Sequence, residues 1–468
     1  MVWTAAVSPL VLVLVMITGL RRPAHWAALA GAVLAVALIW WLPDFALPAD
    51  PAADAGGAGL LVLNAAAVML PGVYLSQVLT RREVHRSLQE WVRALPLPGP
   101  AKIALVVAGI APTVESLTGF GVSLLVTVPV LLALAPPATA LRQAMLGMNI
   151  MPWGTLGLAT VIGAALAGMD TAALGTATAI TSSLVFPLVA VWATLLVRPR
   201  RRVLSAAVAA GVGGMLSLGL LALNWMGVVE AAGVVAGLLT TAIALVPGRA
   251  GAGRLLPPRA VLVAYGLVLG GIAVSRAAIA LGVPPLELRA GETTFALLSS
   301  PGLPLFAAAL LLDRGRLRGT EVRAAFARVG RPLLALAGFV VLGRLMAGSG
   351  MIGELGAAVE AAPPLVAVLA APALGMLSGF ITGSNVGGNA LMMPLQERLA
   401  ASGVGEWFAA VQNSAAGHAV FTSLPMIMLV LAVAGDRAET EEHTLLRFGL
   451  GVAAAVYAAL ALVAVVVS

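Results

Sequence analysis

The sequence predicts an all-α polytopic membrane protein of about 12 transmembrane helices, built as two inverted-topology repeats with broken or re-entrant helices at mid-membrane. Three observations predict it: the composition, the placement of the charges, and a pair of similar broken segments. Of 468 residues, 60% are hydrophobic and 10% charged. Soluble domains carry roughly 25% charged residues, so a water-soluble enzyme is excluded. The absence of cysteine removes disulfides and thiolate chemistry. The histidines His25, His85, His418 and His443 are too scattered to form a metal-ligand cluster, and no cofactor or metal is expected. The net charge of +7 sits in short loops between apolar runs, which argues against a nucleic-acid partner.

Apolar runs long enough to cross a hydrocarbon core of roughly 30 Å are readable at Val2–Leu20, Trp26–Leu42, Leu60–Leu79, Ala172–Val197 and Val203–Leu223. Further runs follow at Val228–Val246, Ala260–Leu281, Phe295–Leu312, Leu333–Ser349 and Leu445–Val467. The first run has no basic residue before it and Arg21 and Arg22 after it, which reads as an N-terminus outside with no cleavable leader. Alternation from that start puts 20 of the 27 basic residues in the inner loops, at 21–22, 81–102, 198–202, 249–259 and 314–331. The opposite loops hold Asp44, Asp50, Asp54, Asp170, Glu230, Glu287 and Glu292, with Arg289 as the basic exception.

Two regions, Ile103–Met169 and Leu365–Val433, are apolar but interrupted by Gly, Pro, Thr, Ser and Asn. Unwound backbone inside a membrane has unpaired amides and carbonyls, tolerated only where protein or a water-filled cavity satisfies them. Such breaks mark transporter binding sites; the alternative is that small residues merely allow close helix packing. The two regions resemble each other. Thr118-Gly119 aligns with Thr382-Gly383, Val122 falls on Val386, and an asparagine follows 31 residues after the threonine in both, at Asn149 and Asn413. By the loop charges, the span before the first motif runs inward and the span before the second runs outward, as inverted repeats require. The corresponding division is 1–200 for the first repeat, 201–330 for middle helices that begin the second, and 331–468 for its remainder.

Chemistry concentrates in these breaks. Glu115 lies between Pro112 and the Thr118-Gly-Phe-Gly121 break, where a carboxylate costs at least about 2.5 kcal/mol on insertion scales. It reads either as a proton carrier or donor-binding group, or as a cap for exposed amides or partner of a buried base. Thr118, Gly119, Gly121, Thr382, Gly383, Ser384, Asn385 and Asn389 supply hydroxyls, amides and bare backbone suited to a carboxylate at helix N-termini. Asn149 and Asn413 are expected either to orient a substrate oxygen or to tie the repeat together. Arg344, twelve residues beyond Pro332 in an apolar span, reads either as a fork for the substrate carboxylate or as the partner of Glu115 or Glu354. His418 follows Gly417 in the second repeat and is a candidate for titration, or a hydrogen-bonded core histidine.

These same residues carry a family resemblance. Val114-Glu-Ser-Leu-Thr-Gly-Phe-Gly121 resembles the Leu-Glu-Gly-Ala-Ala-Gly-Phe-Gly element of the L-lactate permease family. Phe380-Ile-Thr-Gly-Ser-Asn-Val-Gly-Gly-Asn-Ala390, with Leu395-Gln396 after it, is similar to that family's Phe-Leu-Thr-Gly-Ser-Asp-Thr-Ser-Ser-Asn-Ala and downstream Leu-Gln. Asn413, Gly417 and Pro425 match its later Asn, Gly and Pro in order and spacing. The resemblance implies a secondary transporter importing a small 2-hydroxymonocarboxylate such as lactate or glycolate by proton symport, in a bacterial inner membrane. It also implies that Glu115, Gly119, Phe120, Gly121, Thr382, Gly383, Ser384 and Asn389 line the site. The family's aspartate is Asn385 here and its lysine falls on Phe421; the two losses together suggest a charge pair removed as a unit. The partners expected are a small organic anion, a proton or sodium ion, the lipid bilayer and a possible second copy. The alternatives are an organic-anion channel or facilitator, and a membrane-embedded enzyme or assembly subunit.

Overall fold

The computed structural model describes residues 2–246, 255–291, 293–399, 407–438 and 441–467. Arg249, Arg254 and Glu292, used above to orient loops, lie outside the described residues. Among those described, nine helices are long and apolar enough to cross a membrane, or up to twelve if three bent pairs each count as one span. The chain is a polytopic helical membrane protein. One short antiparallel hairpin, Glu287–Ala290 paired with Thr293–Ala296, interrupts the all-α pattern.

Three expected spans differ, the first being Val228–Val246, whose helix Val229–Ala244 has 16 residues and covers about 24 Å, short of the bilayer core. The run Ala172–Val197 is not one helix but two, Thr171–Thr181 and Val185–Leu195, bent by 43°. Thr181-Ser182-Ser183 lies at the bend, and the Ser217 hydroxyl of a neighbouring helix donates to the Ser183 carbonyl at 2.8 Å, satisfying backbone that the break leaves open. The run Phe295–Leu312 begins in the β-hairpin and turns helical only at Gly302–Leu312. Ser299-Ser300-Pro301-Gly302 supplies the interruption, and eleven residues cover about 16 Å, half the bilayer core.

Each half of the chain repeats one order of elements. A long helix, Pro51–Arg81, is followed by two helices, Gly99–Thr118 and Val122–Leu131, and then by a pair bent by 56°, Pro137–Leu146 with Met151–Leu166. The second half has Gly319–Gly348, then Pro364–Thr382 and Asn385–Leu399, then Trp407–Thr422 with Leu424–Arg437, bent by 44°. The short helices form hairpins. In the first, Lys102 near the start of one arm donates to the Arg93 carbonyl while Arg93 donates to Pro129 near the end of the other, so both ends lie on one side. In the second, Gln396 reaches back to the Ala371 carbonyl at 3.0 Å.

Ion pairs fix the relative direction of the two long helices. Arg81 meets Glu321 at 2.6 Å, whereas Asp54 meets Arg344 at 3.2 Å. The C-terminal end of the first helix therefore lies beside the N-terminal end of the second, and the helices are antiparallel, as the loop charges require. At the arginine-rich end Asp313 accepts from Arg81 and Arg318, at 2.9 and 3.1 Å. The hydrogen-bonded Arg81, with Arg318, holds the Asp313 carboxyl below its ordinary range against the opposing effect of burial. A depressed carboxyl adds stability above its unfolded value, and that stability is lost as pH falls through the folded one. Asp313→Asn is expected to lower the melting temperature of detergent-solubilised protein at neutral pH. The difference from the parent should shrink as pH falls below about 4, and a difference that stays constant down to acid would contradict this account.

Candidate functional site

The first hairpin turns through three consecutive residues of left-handed backbone, Gly119, Phe120 and Gly121, at φ +68°, +57° and +71°. Helix Gly99–Thr118 ends there, so Thr118 sits at the tip rather than inside a continuous helix. A Cβ on Gly119 would overlap the Thr155 hydroxyl, which leaves glycine as the residue that fits. The fully buried Glu115 carboxylate closes the turn. One oxygen accepts from the Gly121 amide at 2.9 Å, and the other accepts from the Ser123 amide and hydroxyl at 3.2 and 2.7 Å. Glu115 thus caps the first amides of the returning helix, the second of the two roles its sequence position allowed. Arg328 donates to the Phe120 carbonyl at 3.3 Å, bringing a cation to this tip.

The second tip is built the same way with different residues. Helix Pro364–Thr382 ends at Gly383, at φ +65°. Ser384, exposed at the tip, caps the returning helix through the Gly387 amide at 3.4 Å. The Thr382 hydroxyl lies 2.8 Å from the carbonyls of Ser378 and Ser384. Each tip abuts the broken helix of its own repeat, Gly119 at Thr155 and Gly383 at Ser423 and Pro425. Each hairpin also packs on the long helix of its own repeat, through Gly72 beside the Thr118 carbonyl and Phe339 beside Gly387.

Asparagines join the repeats. The Asn413 carbonyl oxygen accepts from Asn385 at 3.2 Å and from Asn389 at 2.8 Å, while its amide donates to Thr160 and Thr178 at 2.9 and 3.1 Å. Asn389 also donates to the Ala159 carbonyl at 3.1 Å. The second hairpin is therefore stitched to the broken helix of the first repeat. Of fifteen buried side-chain atoms without a hydrogen-bond partner among the described residues, five belong to these elements: the side-chain oxygens of Asn149, Asn385 and Asn389, the Ser423 hydroxyl and Nδ1 of His418. An unpaired buried polar group costs about 1–3 kcal/mol. Three of the five are amide oxygens, which are acceptors without a donor.

The structure brings Asn385, Asn389 and Asn413 together but treats Asn149 differently. Asn149 lies in the break itself and donates to Leu146, whereas Asn413 is inside a helix, so their equal spacing from the threonines is not structural equivalence. Arg344 is engaged elsewhere: its guanidinium pairs with Asp54 and donates to Thr293 at 2.9 Å, and it meets neither Glu115 nor Glu354. Sequence reasoning missed Arg328, counted only as a loop charge, and missed Thr155-Leu156-Gly157. Those three residues, at φ +52°, +55° and +70°, form a buried left-handed turn in the first broken helix. Left-handed backbone costs roughly 1–2 kcal/mol per non-glycine residue, and such strain concentrates at working sites. Pro152 and Gly154 ahead of it and Gly157 within it are the signals that could have found it.

Comparison with known proteins bears on this geometry. Residues 280–468 match the L-lactate permease family. That stretch contains the second tip, Asn413, Gly417 and Pro425; the first tip lies outside it. The fold is similar to that of the Alcanivorax borkumensis YdaH transporter, whose crystal structure is described as revealing an unusual topology. The two chains are 16% identical, the likeness covers 95% of this chain and 98% of that one, and the TM-score is 0.51. At that identity the likeness speaks for the fold alone. A comparison with curated proteins gives no match.

Two substitutions test the tip. Glu115→Gln presents an amide NH2 to the donors it now accepts from, and should destabilise the protein by about 1–3 kcal/mol, read as a lower melting temperature. Gly119→Ala must displace Thr155 and hold alanine at positive φ, at a loss of about 1–3 kcal/mol. Wild-type melting in both variants would remove the capping and close-approach arguments.

Proposed function

We propose that this protein is a secondary active transporter importing a small 2-hydroxymonocarboxylate of the lactate or glycolate kind, by proton symport with alternating access. The observation that carries the proposal is the set of unpaired acceptors around a capped helix start at the second tip. A 2-hydroxy acid has complementary chemistry. Its carboxylate suits the amides that begin helix Asn385–Leu399, and its hydroxyl is a donor for the free oxygens of Asn385, Asn389 or Asn149. The match of residues 280–468 to the L-lactate permease family supports the same substrate class.

On this reading Thr118, Gly119, Phe120 and Gly121 form one wall, and Thr382, Gly383, Ser384, Asn385, Asn389 and Asn413 the other. The antiparallel frame supports alternating access, because two halves of similar build and opposite direction can exchange conformations. The arginine-rich ends face the cytoplasm of a bacterial cell and the N-terminus faces outward, in accord with the loop charges. Arg344 belongs to the frame rather than to the site.

The test is transport by purified protein in liposomes with a pH gradient, comparing lactate with propionate, which lacks the hydroxyl. Lactate should accumulate, and propionate should be a markedly poorer substrate. Asn389→Ala should raise the KM for lactate by about tenfold or more, as loss of a hydrogen bond to a buried group does, and should change propionate uptake much less. Equal treatment of the two acids by both proteins would refute the hydroxyl contact. Equilibration without accumulation would indicate a facilitator.

A further inference from the structure

His418 is fully buried in helix Trp407–Ala419, one residue after Gly417, whose Cα faces Pro152 and the Asn385 amide. Its Nε2 lies 2.9 Å from the Ser182 hydroxyl. Ser182 donates onward to Ser414 at 3.0 Å, and Ser414 donates to the Thr178 carbonyl at 3.3 Å. With the Ser182 proton committed to Ser414, Ser182 is left to accept from Nε2–H. Nδ1 then carries the lone pair, and it is the buried ring nitrogen with no partner. The hydroxyl pair therefore selects the tautomer whose basic nitrogen is free.

The surroundings of the ring are neutral. Phe186 packs edge-on with ring centroids 5.5 Å apart, and the Asn149 carbonyl stands within reach as an acceptor for a ring N–H, ready for Nδ1 once it is protonated. The titratable groups on elements packed against this helix are Glu397 and Arg398 near the end of helix Asn385–Leu399, and Glu442, His443, Arg447 and Tyr457 on helix Glu442–Val467. Among the described hydrogen bonds, the side-chain partner of His418 is Ser182. Glu115, the other buried candidate, already accepts from three donors at the first tip.

Resting on the transport reading above, we propose that Nδ1 of His418 is the atom that binds and releases the coupling proton, with Ser182 and Ser414 as positioning residues. The proton comes from water on one side, occupies the Nδ1 lone pair without any covalent bond in the protein breaking, and leaves to water on the other. Among the described residues no ion pair joins a carboxylate to the ring, so its positive charge would be balanced when an anion reaches the second tip. The anion then favours the imidazolium and the imidazolium favours the anion, a reciprocal linkage that makes the two travel together.

The experiment uses full-length protein in liposomes with a trapped pH indicator, and lactate as the probe, against protein-free vesicles. One pH unit should drive about tenfold accumulation at one proton per anion, with matching lumenal acidification. In His418→Gln the accumulation should fall to equilibration and the protons moved per lactate to none, with residual lactate counterflow still measurable. Ser182→Ala should keep coupling but move the pH midpoint of uptake, because the tautomer is no longer held. Unaltered stoichiometry in His418→Gln overturns the proposal, as does an unmoved midpoint in Ser182→Ala if His418→Gln is inactive or unfolded. Lactate transport by the parent with no proton movement would instead sink the symport reading itself, before any variant is compared.

Discussion

A backbone amide cannot be left unpaired in hydrocarbon, and that constraint organises this protein. Every interruption of a helix creates groups that lipid will not satisfy. The chain meets each one with a specific internal partner: Glu115 for the amides after the first tip, Ser384 for those after the second, and Ser217 for the carbonyl at the bend near Ser183. Thr160 extends the pattern, donating to the Pro152 carbonyl at 2.7 Å while accepting from Asn413. The polar residues in this apolar chain are thus concentrated where the helices stop.

The frame that holds the breaks apart is electrostatic at its ends and small-residue at its faces. Arg81 with Glu321 and Asp313, and Arg344 with Asp54, pin two antiparallel helices of 31 and 30 residues at both extremities. Between the pins, Gly72 and Gly343 bring the long helices close to the hairpins. The first tip is tied to the frame as well, through Arg328 and the Phe120 carbonyl.

Much of this was legible in the sequence because the signals were local or additive. Composition gave the class, loop arginines gave the direction of the long helices, and Thr-Gly pairs marked both tips. What was not legible depended on partners distant in the chain. Arg344 could be read as a substrate fork or as half of an internal pair, and its actual partner, Asp54, was hidden because it lies 290 residues away. That Glu115 caps a turn became visible only when Gly121 and Ser123 were seen to fold back onto it. The Asn149–Asn413 spacing misled in the opposite way, since equal separation along the chain does not give equal position about a break. The run Ala172–Val197 looked continuous because hydropathy is blind to a bend whose open carbonyl another helix satisfies.

The substitutions at Asn385 and Phe421 acquire a physical meaning in this setting. The resemblance places an aspartate and a lysine at these positions in relatives, and here both are buried, one an amide and the other a phenyl ring. A buried ion that loses its partner is strongly destabilising, whereas a pair removed together can be neutral. The second tip is therefore lined by neutral amides and hydroxyls among its described hydrogen-bond partners. On the transport reading proposed above, a neutral lining would hold the anion through dipoles alone, leaving the loaded site negative unless a cation came with it. Crossing hydrocarbon in that state is expensive. On that reading, the compensating positive charge would have to come from outside with each turnover.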